Sequence, residues 1–171
     1  MKSVYNFVVK PKGERYNNTK KLDGKELILN TEIFNHQYVN REAEVISTPI
    51  IGNTDIKSGD TVVVHHNVFR RWHNVKGVEK NSKAYFNEDT YFINQDQIFL
   101  YKRNDTWIAP KGYCFVIPLK ATDKFNTKSE KPLQGIVKYS DGTVEVGDLV
   151  GFKPSSEYEF IVDGERLFRV L

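Results

Sequence analysis

The hydrophobic positions of this chain fall in short runs, separated by polar stretches that carry Gly, Pro, Asn and Asp. The runs are rich in β-branched and aromatic residues, as in VYNFVVKP (Val4–Pro11), EAEVIST (Glu42–Thr48) and YCFVIPL (Tyr113–Leu119). Such residues suit a pleated, half-buried surface, so each run predicts a strand. Further strands are predicted at Ala84–Phe86 and Thr90–Ile93 around an Asn87-Glu88-Asp89 turn, and at Gln97–Arg103 and Gly135–Tyr139. Tyr158–Val162 and Glu165–Leu171 flank Asp163-Gly164, a strong hairpin signal. No stretch shows the periodicity of an amphipathic helix. The expected fold class is all-β.

One pattern occurs twice. Ile56–Val64 reads IKSGDTVVV and Val144–Phe152 reads VEVGDLVGF. Gly59 and Gly147 suit a turn position with φ above zero, and Asp60 and Asp148 can accept hydrogen bonds from nearby backbone N–H groups. Other runs keep the same order around these points. Phe7-Val8-Val9 matches Phe115-Val116-Ile117 at an offset of 108, and Ala43-Glu44-Val45 matches Gly135-Ile136-Val137 at 92. The Gly-Asp pairs match at 88 and the hairpin turns at 76. The offset only falls, and the large falls sit in the 12–41 and 67–83 loops of the first copy. Strands kept and loops varied is the expected behaviour of two copies of one unit. The expected domains are therefore 1–103, a linker at 104–112 marked by Asn104-Asp105, Pro110 and Gly112, and 113–171. Copy two reaches Leu171 with no counterpart of Gln97–Tyr101, so its unit is read as incomplete unless the chain continues.

The order of a first strand, a long loop with an apolar island, a Glu-Val-Ile strand, a Gly-Asp-led strand, a hairpin and a closing strand resembles the GroES (chaperonin-10) family. The likeness is carried in copy one by Phe7–Lys10, Arg41–Thr48 (REAEVIST), Asp55–Val64 (DIKSGDTVVV) and Glu88–Tyr101 (EDTYFINQDQIFLY). In copy two it is carried by Cys114–Pro118, Gln134–Tyr139, Val144–Phe152 and Phe160–Leu171. The resemblance implies two tandem small GroES-like β-barrels, the second incomplete, in a co-chaperonin that is not an enzyme and uses no cofactor. It implies a homo-oligomeric ring that binds the rim of a GroEL-type chaperonin and caps its folding chamber. In that family the contact is made by a mobile loop between the first two strands, through a short apolar triplet. The matching loop is 12–41, and the matching triplet is Leu27, Ile28 and Leu29, after Gly24-Lys25-Glu26. A disordered loop loses entropy on binding, which weakens each contact, and several loops on one ring restore a firm but releasable grip. The competing reading of Leu27–Leu29 is a short core strand, with Ile33, Phe34 and Tyr38 nearby.

The chain also departs from the family. Its loop lacks the usual Gly-rich approach to the triplet, the 120–132 loop of copy two has no apolar triplet, and 48–55 is too short for the hairpin that roofs the dome. Such a reduced, roofless form suits a phage-encoded co-chaperonin that accommodates a large client.

Composition changes this picture little. A single cysteine, Cys114, excludes an intrachain disulfide and fits a reducing compartment, so a cytoplasmic protein is expected. The N-terminus has no signal-peptide core and no window approaches a membrane span. A net charge of +3 does not require a nucleic-acid partner. His36, His65, His66 and His73 raise a metal, but adjacent histidines on a strand would point to opposite faces, so no metal site is expected. No phosphate loop or nucleophile elbow is present. Phe69-Arg70-Arg71-Trp72-His73 mixes cations and aromatics on an expected loop, as proteins that bind single-stranded nucleic acid do. That sequence keeps a nucleic-acid-binding β-barrel open as an alternative, beside a structural or assembly protein, viral in origin, that reuses the fold.

Overall fold

In the computed structural model the described residues are 1–16, 19–22, 25–28, 39–120 and 130–170, with side chains described for 1–16, 39–119 and 133–170. Half the chain is strand and 2% is helical, so the all-β class holds. The helical part among the described residues is a 3-10 turn at Gln95–Gln97. No helix among them is long and apolar enough to cross a membrane.

The chain divides into two compact units, Met1–Phe99 and Leu100–Leu171. The first holds β1 (Phe7–Pro11), β2 (Thr19–Leu22), β3 (Lys25–Ile28), β4 (Glu42–Ser47), β5 (Thr61–Val64), β6 (Arg71–His73), β7 (Glu79–Asn81), β8 (Tyr85–Asn87) and β9 (Thr90–Ile93). The boundary falls within β10 (Ile98–Arg103). The second unit holds β11 (Thr106–Ile108), β12 (Cys114–Lys120), β13 (Glu130–Ser140), β14 (Leu149–Gly151), β15 (Glu157–Val162) and β16 (Glu165–Val170).

In the first unit the strand order is β10-β5-β4-β1-β9-β8, with β2–β3 and β6–β7 as separate hairpins. In the second it is β14-β13-β12-β16-β15, and β10 pairs with β11. Among the described residues no sheet closes on itself. Phe7–Val9, Val62–Val64 and Ile98–Tyr101 are buried without a break. Consecutive strand residues point to opposite faces, so these strands are covered on both sides. In the second unit Phe115, Val116, Val137, Leu167 and Val170 are buried, and Phe115 meets Phe160 edge-on at 5.7 Å.

The two units share one pairing register. β1 lies between β4 and β9, and β12 lies between β13 and β16. Val9 opposite Val45 corresponds to Val116 opposite Val137, and Pro11 opposite Ala43 to Pro118 opposite Gly135. Both ladders carry a bulge at the same step, Val8/Val9 and Phe115/Val116. Glu42–Val63, Ala43–Val62 and Glu44–Thr61 correspond to Gln134–Gly151, Gly135–Val150 and Ile136–Leu149. The β4 and β5 offsets read from the sequence therefore stand, but Phe7 corresponds to Cys114, which corrects the first offset to 107 (114 − 7).

The Gly-Asp turns dock alike. Val45 N–H donates to the Asp60 carbonyl at 2.9 Å and Gly59 N–H to the Val45 carbonyl at 2.8 Å. Val137 N–H donates to the Asp148 carbonyl at 2.9 Å and Gly147 N–H to the Val137 carbonyl at 2.8 Å. Gly59 and Gly147 have φ of 91° and 97°, as this turn requires. The Asp60 carboxylate accepts the Lys57 N–H at 2.8 Å, and that of Asp148 accepts the Glu145 N–H at 3.3 Å.

Some segments differ from expectation. The 67–83 region, expected to be irregular, contains the β6–β7 hairpin, closed by Asn74, whose side-chain oxygen accepts the N–H groups of Lys76 and Val78. The 104–112 segment, expected to be a linker, contains β11.

Gly135 lies so close to β12 that a Cβ there would stand 2.8 Å from the Ile117 carbonyl oxygen and 2.9 Å from Val116 Cβ. Both atoms are fixed by the ladder and neither can swing away. Gly135→Ala is therefore expected to lower stability by about 1–3 kcal/mol, as overpacking does. A urea midpoint equal to that of wild type would show that the two strands separate more readily than the ladder suggests.

Candidate functional site: a docking loop and its anchor

The loop expected to carry a partner contact leaves β1 at Lys12 and re-enters the sheet at Glu42. Its two ends are tied together. Lys12 N–H donates to the Glu42 carbonyl at 2.9 Å and Asn40 N–H to the Arg15 carbonyl at 2.8 Å. Asn40, itself buried, donates its side-chain amide to the Lys12 carbonyl at 3.0 Å and accepts the Glu42 N–H at 2.9 Å. Tyr16 and Val39 form a β-bridge.

Within the loop, Leu27 and Ile28 lie on β3, opposite Lys20 and Thr19 of β2. Leu29 lies outside the described residues, as do Gly24, Ile33, Phe34, His36 and Tyr38.

Arg15 anchors the loop base and is only 5% exposed. Its Nε donates to the Phe69 carbonyl at 3.1 Å, its Nη2 to Asn81 Oδ1 at 2.8 Å and its Nη1 to Glu88 Oε1 at 3.3 Å. The guanidinium also stands 5.5 Å and 5.7 Å from the ring centroids of Tyr85 and Tyr91. Beside it the Tyr16 hydroxyl donates to the Arg71 carbonyl at 3.1 Å and accepts the Arg71 N–H at 2.8 Å. The loop base is thus fastened to the β6–β7 hairpin and to the turn before β9. Sequence reasoning missed Arg15 and Tyr16. They sit in a polar stretch, and their partners come dozens of residues later, so no local pattern marks them as buried.

Tyr91 is fully buried, edge-on to Phe69 at 4.8 Å, and its hydroxyl has no hydrogen-bond partner. Desolvation pushes its pKa up to about 12; Arg15 opposes the rise and Glu88 adds to it. Burial, with a contribution from Asp141, likewise raises the Cys114 thiol, which leaves it a poor nucleophile.

His65 and His66 follow the end of β5, and their rings stack with centroids 4.3 Å apart. The expectation that they point to opposite faces of a strand is thereby corrected: they lie in a turn, where strand alternation does not apply. Among the described residues no three His, Cys, Asp or Glu side chains are grouped to hold a metal.

No protein-family model, curated protein or solved structure matches this chain.

Two expectations concern the anchor. Arg15→Ala should lower stability by about 1.5–3 kcal/mol in chemical denaturation, the usual worth of hydrogen bonds to a charged group. Arg15→Lys should recover little of it, because a lysine cannot reproduce the planar fork; full recovery would mean that charge alone matters. The second expectation is alkaline. The folded state holds the Tyr91 proton more tightly than the unfolded chain, so stability present below the ordinary tyrosine value of 10.0 is lost as pH rises towards about 12. Tyr91→Phe removes both the titration and the unpartnered hydroxyl. It should match or exceed wild type at neutral pH and lose less stability above pH 10.0. An identical alkaline decline in the variant would assign that decline to other groups.

Proposed function

We propose that this chain is a co-chaperonin built from two tandem GroES-like β-barrels. The observation that carries the reading is the recurrence of one strand register, bulge and Gly-Asp turn in both units, in the strand order that resembles that family. The unbroken burial of Phe7–Val9, Val62–Val64 and Ile98–Tyr101 supports a barrel-like wrap for the first unit. The long connection after β1, pinned at its base by Arg15 and Asn40, supports a loop that presents a hairpin to a partner.

In this reading Leu27, Ile28 and Leu29 dock on the rim of a GroEL-type chaperonin, copies of the chain associate into a homo-oligomeric ring, and the ring closes the folding chamber. An extended apolar triplet suits such a groove, since its side chains enter while its backbone pairs with the wall. The protein acts by binding, without catalysis or cofactor, in the cytoplasm, that of a host cell if it is phage-encoded.

The test is capture of a GroEL-type chaperonin in the presence of ATP or ADP. Wild type should retain it, and Leu27→Asp with Ile28→Asp should reduce retention at least about tenfold, the effect of losing about 1.4 kcal/mol. Equal retention by both proteins would reject the docking assignment. Light scattering should give a ring-sized particle; a monomer at all concentrations would reject the ring.

A further inference from the structure

A cavity of about 320 Å³ opens in the first unit beside the β6–β7 hairpin. Asn67, Arg70, Trp72, Ser82, Lys83 and Gln97 supply its polar and aromatic lining, and no carboxylate contributes. The Arg70 guanidinium stands 5.8 Å from the Trp72 ring centroid. Trp72 is 36% exposed, whereas Trp107 is 7% exposed. Two of the lining groups are already committed: the Ser82 hydroxyl donates to the Val68 carbonyl at 2.6 Å, and Gln97 Oε1 accepts the Asn94 N–H at 2.9 Å. The Gln97 NH2 group and the Asn67 carboxamide remain as neutral polar groups for a ligand.

Each part of this lining selects a ligand property. Two cations without an acid favour an anion. An accessible indole favours a flat ring, which stacks on it whatever its edge carries. Carboxamides can pair with ring or sugar heteroatoms. The volume lies at the small end of ligand sites, which begin at about 300 Å³. An acidic peptide would use the cations and leave the indole idle, and a neutral aromatic would leave the cations idle.

We propose that this cavity binds one nucleotide unit, with the base stacked on Trp72 and the phosphate held by Arg70 and Lys83. Such a unit is supplied either by a free mononucleotide or by one exposed residue of a single-stranded nucleic acid. The site shares no residue with the Leu27–Leu29 triplet, and its test does not involve a chaperonin.

The experiment uses the full chain. In a Trp107→Phe background Trp72 is the sole tryptophan, so its fluorescence reports the cavity directly. Anisotropy of a labelled short oligothymidylate on the unmodified protein gives a second readout that does not depend on that variant folding. AMP, the oligonucleotide and inorganic phosphate are titrated in turn. Saturable quenching by AMP or the oligonucleotide is expected, and Arg70→Ala and Lys83→Ala should each weaken it at least about fivefold, with binding falling as salt rises from about 50 to 200 mM. Trp72→Phe should retain more affinity than Trp72→Ala, since a phenyl ring still stacks. Tighter binding of the oligonucleotide than of AMP assigns the site to single strands, and equal binding assigns it to free nucleotides. The proposal is overturned if neither ligand binds saturably, if binding ignores Arg70 and Lys83, or if phosphate competes as well as AMP, which would make the site one for bare anions.

Discussion

The N–H of Val45 donates to the carbonyl of Asp60 while its own carbonyl accepts the N–H of Gly59, and this reciprocal pair fixes where β5 begins. With φ at 91°, Gly59 turns its N–H back onto the preceding strand, a conformation costly for any residue with a Cβ. Once Val45 is engaged on that side, its partner across the sheet is Val9, and the bulge at Val8/Val9 sets which residues of β1 face the core. A slip of one position would carry the half-buried Thr61 or His65 into the covered stretch, so the turn holds the register on which the burial of Val62–Val64 depends. Val137, Asp148 and Gly147 repeat the arrangement in the second unit. The connections on either side of the turn can change length without disturbing it.

A long loop can be carried by such a frame only if its base is held. Burying a guanidinium is costly unless its donors are matched. Arg15 meets that demand with a backbone carbonyl, an amide oxygen and a carboxylate, and with two tyrosine rings against its faces. The carboxylate matters least, because the Glu88 side chain is 63% exposed and its attraction is screened. The buried bonds to Phe69 and Asn81 are the stronger restraint. They bind one loop residue to two separate later segments, so the loop mouth keeps its shape whatever the loop itself does.

The sequence made most strands legible because their β-branched runs are bounded by turn residues. Where it misled, local chemistry was ambiguous. Asn104-Asp105 reads as a linker, yet both residues have positive φ, 50° and 59°, the geometry of a tight hairpin turn that Asp163-Gly164 also adopts. The signal was present, since Asn-Asp lies directly between Tyr101-Lys102-Arg103 and Thr106-Trp107-Ile108, which pair. β6 and β7 escaped notice because their residues are exposed or half-buried and alternate no hydrophobics. Matching phenylalanine to phenylalanine makes the first offset one too large, whereas Phe7 in its ladder holds the position that Cys114 holds in the other. Pro11 and Pro118, at the same ladder position, hold the correct spacing in the sequence itself. The Arg15 anchor could not be read, since its burial is decided by partners far along the chain.

β6 joins the two proposed contacts. Arg71 serves the loop base, while Trp72, next to it on β6, and Arg70, just before the strand, serve the cavity. Arg71 engages Tyr16 of the loop base through its backbone and through its guanidinium, 5.2 Å from the tyrosine ring. Arg70 and Trp72 line the cavity. β6 belongs to a two-stranded hairpin of exposed and half-buried residues, so side-chain contacts and the Asn74 turn hold it more than core packing does. Elements held in this way lie at the low end of local stability. A ligand stacked on Trp72 would restrict the same backbone that Tyr16 grips, so local opening of the hairpin is opposed from both sides. The β6–β7 hairpin is therefore the part of this chain through which occupation of the cavity and engagement of the loop would be felt by one another.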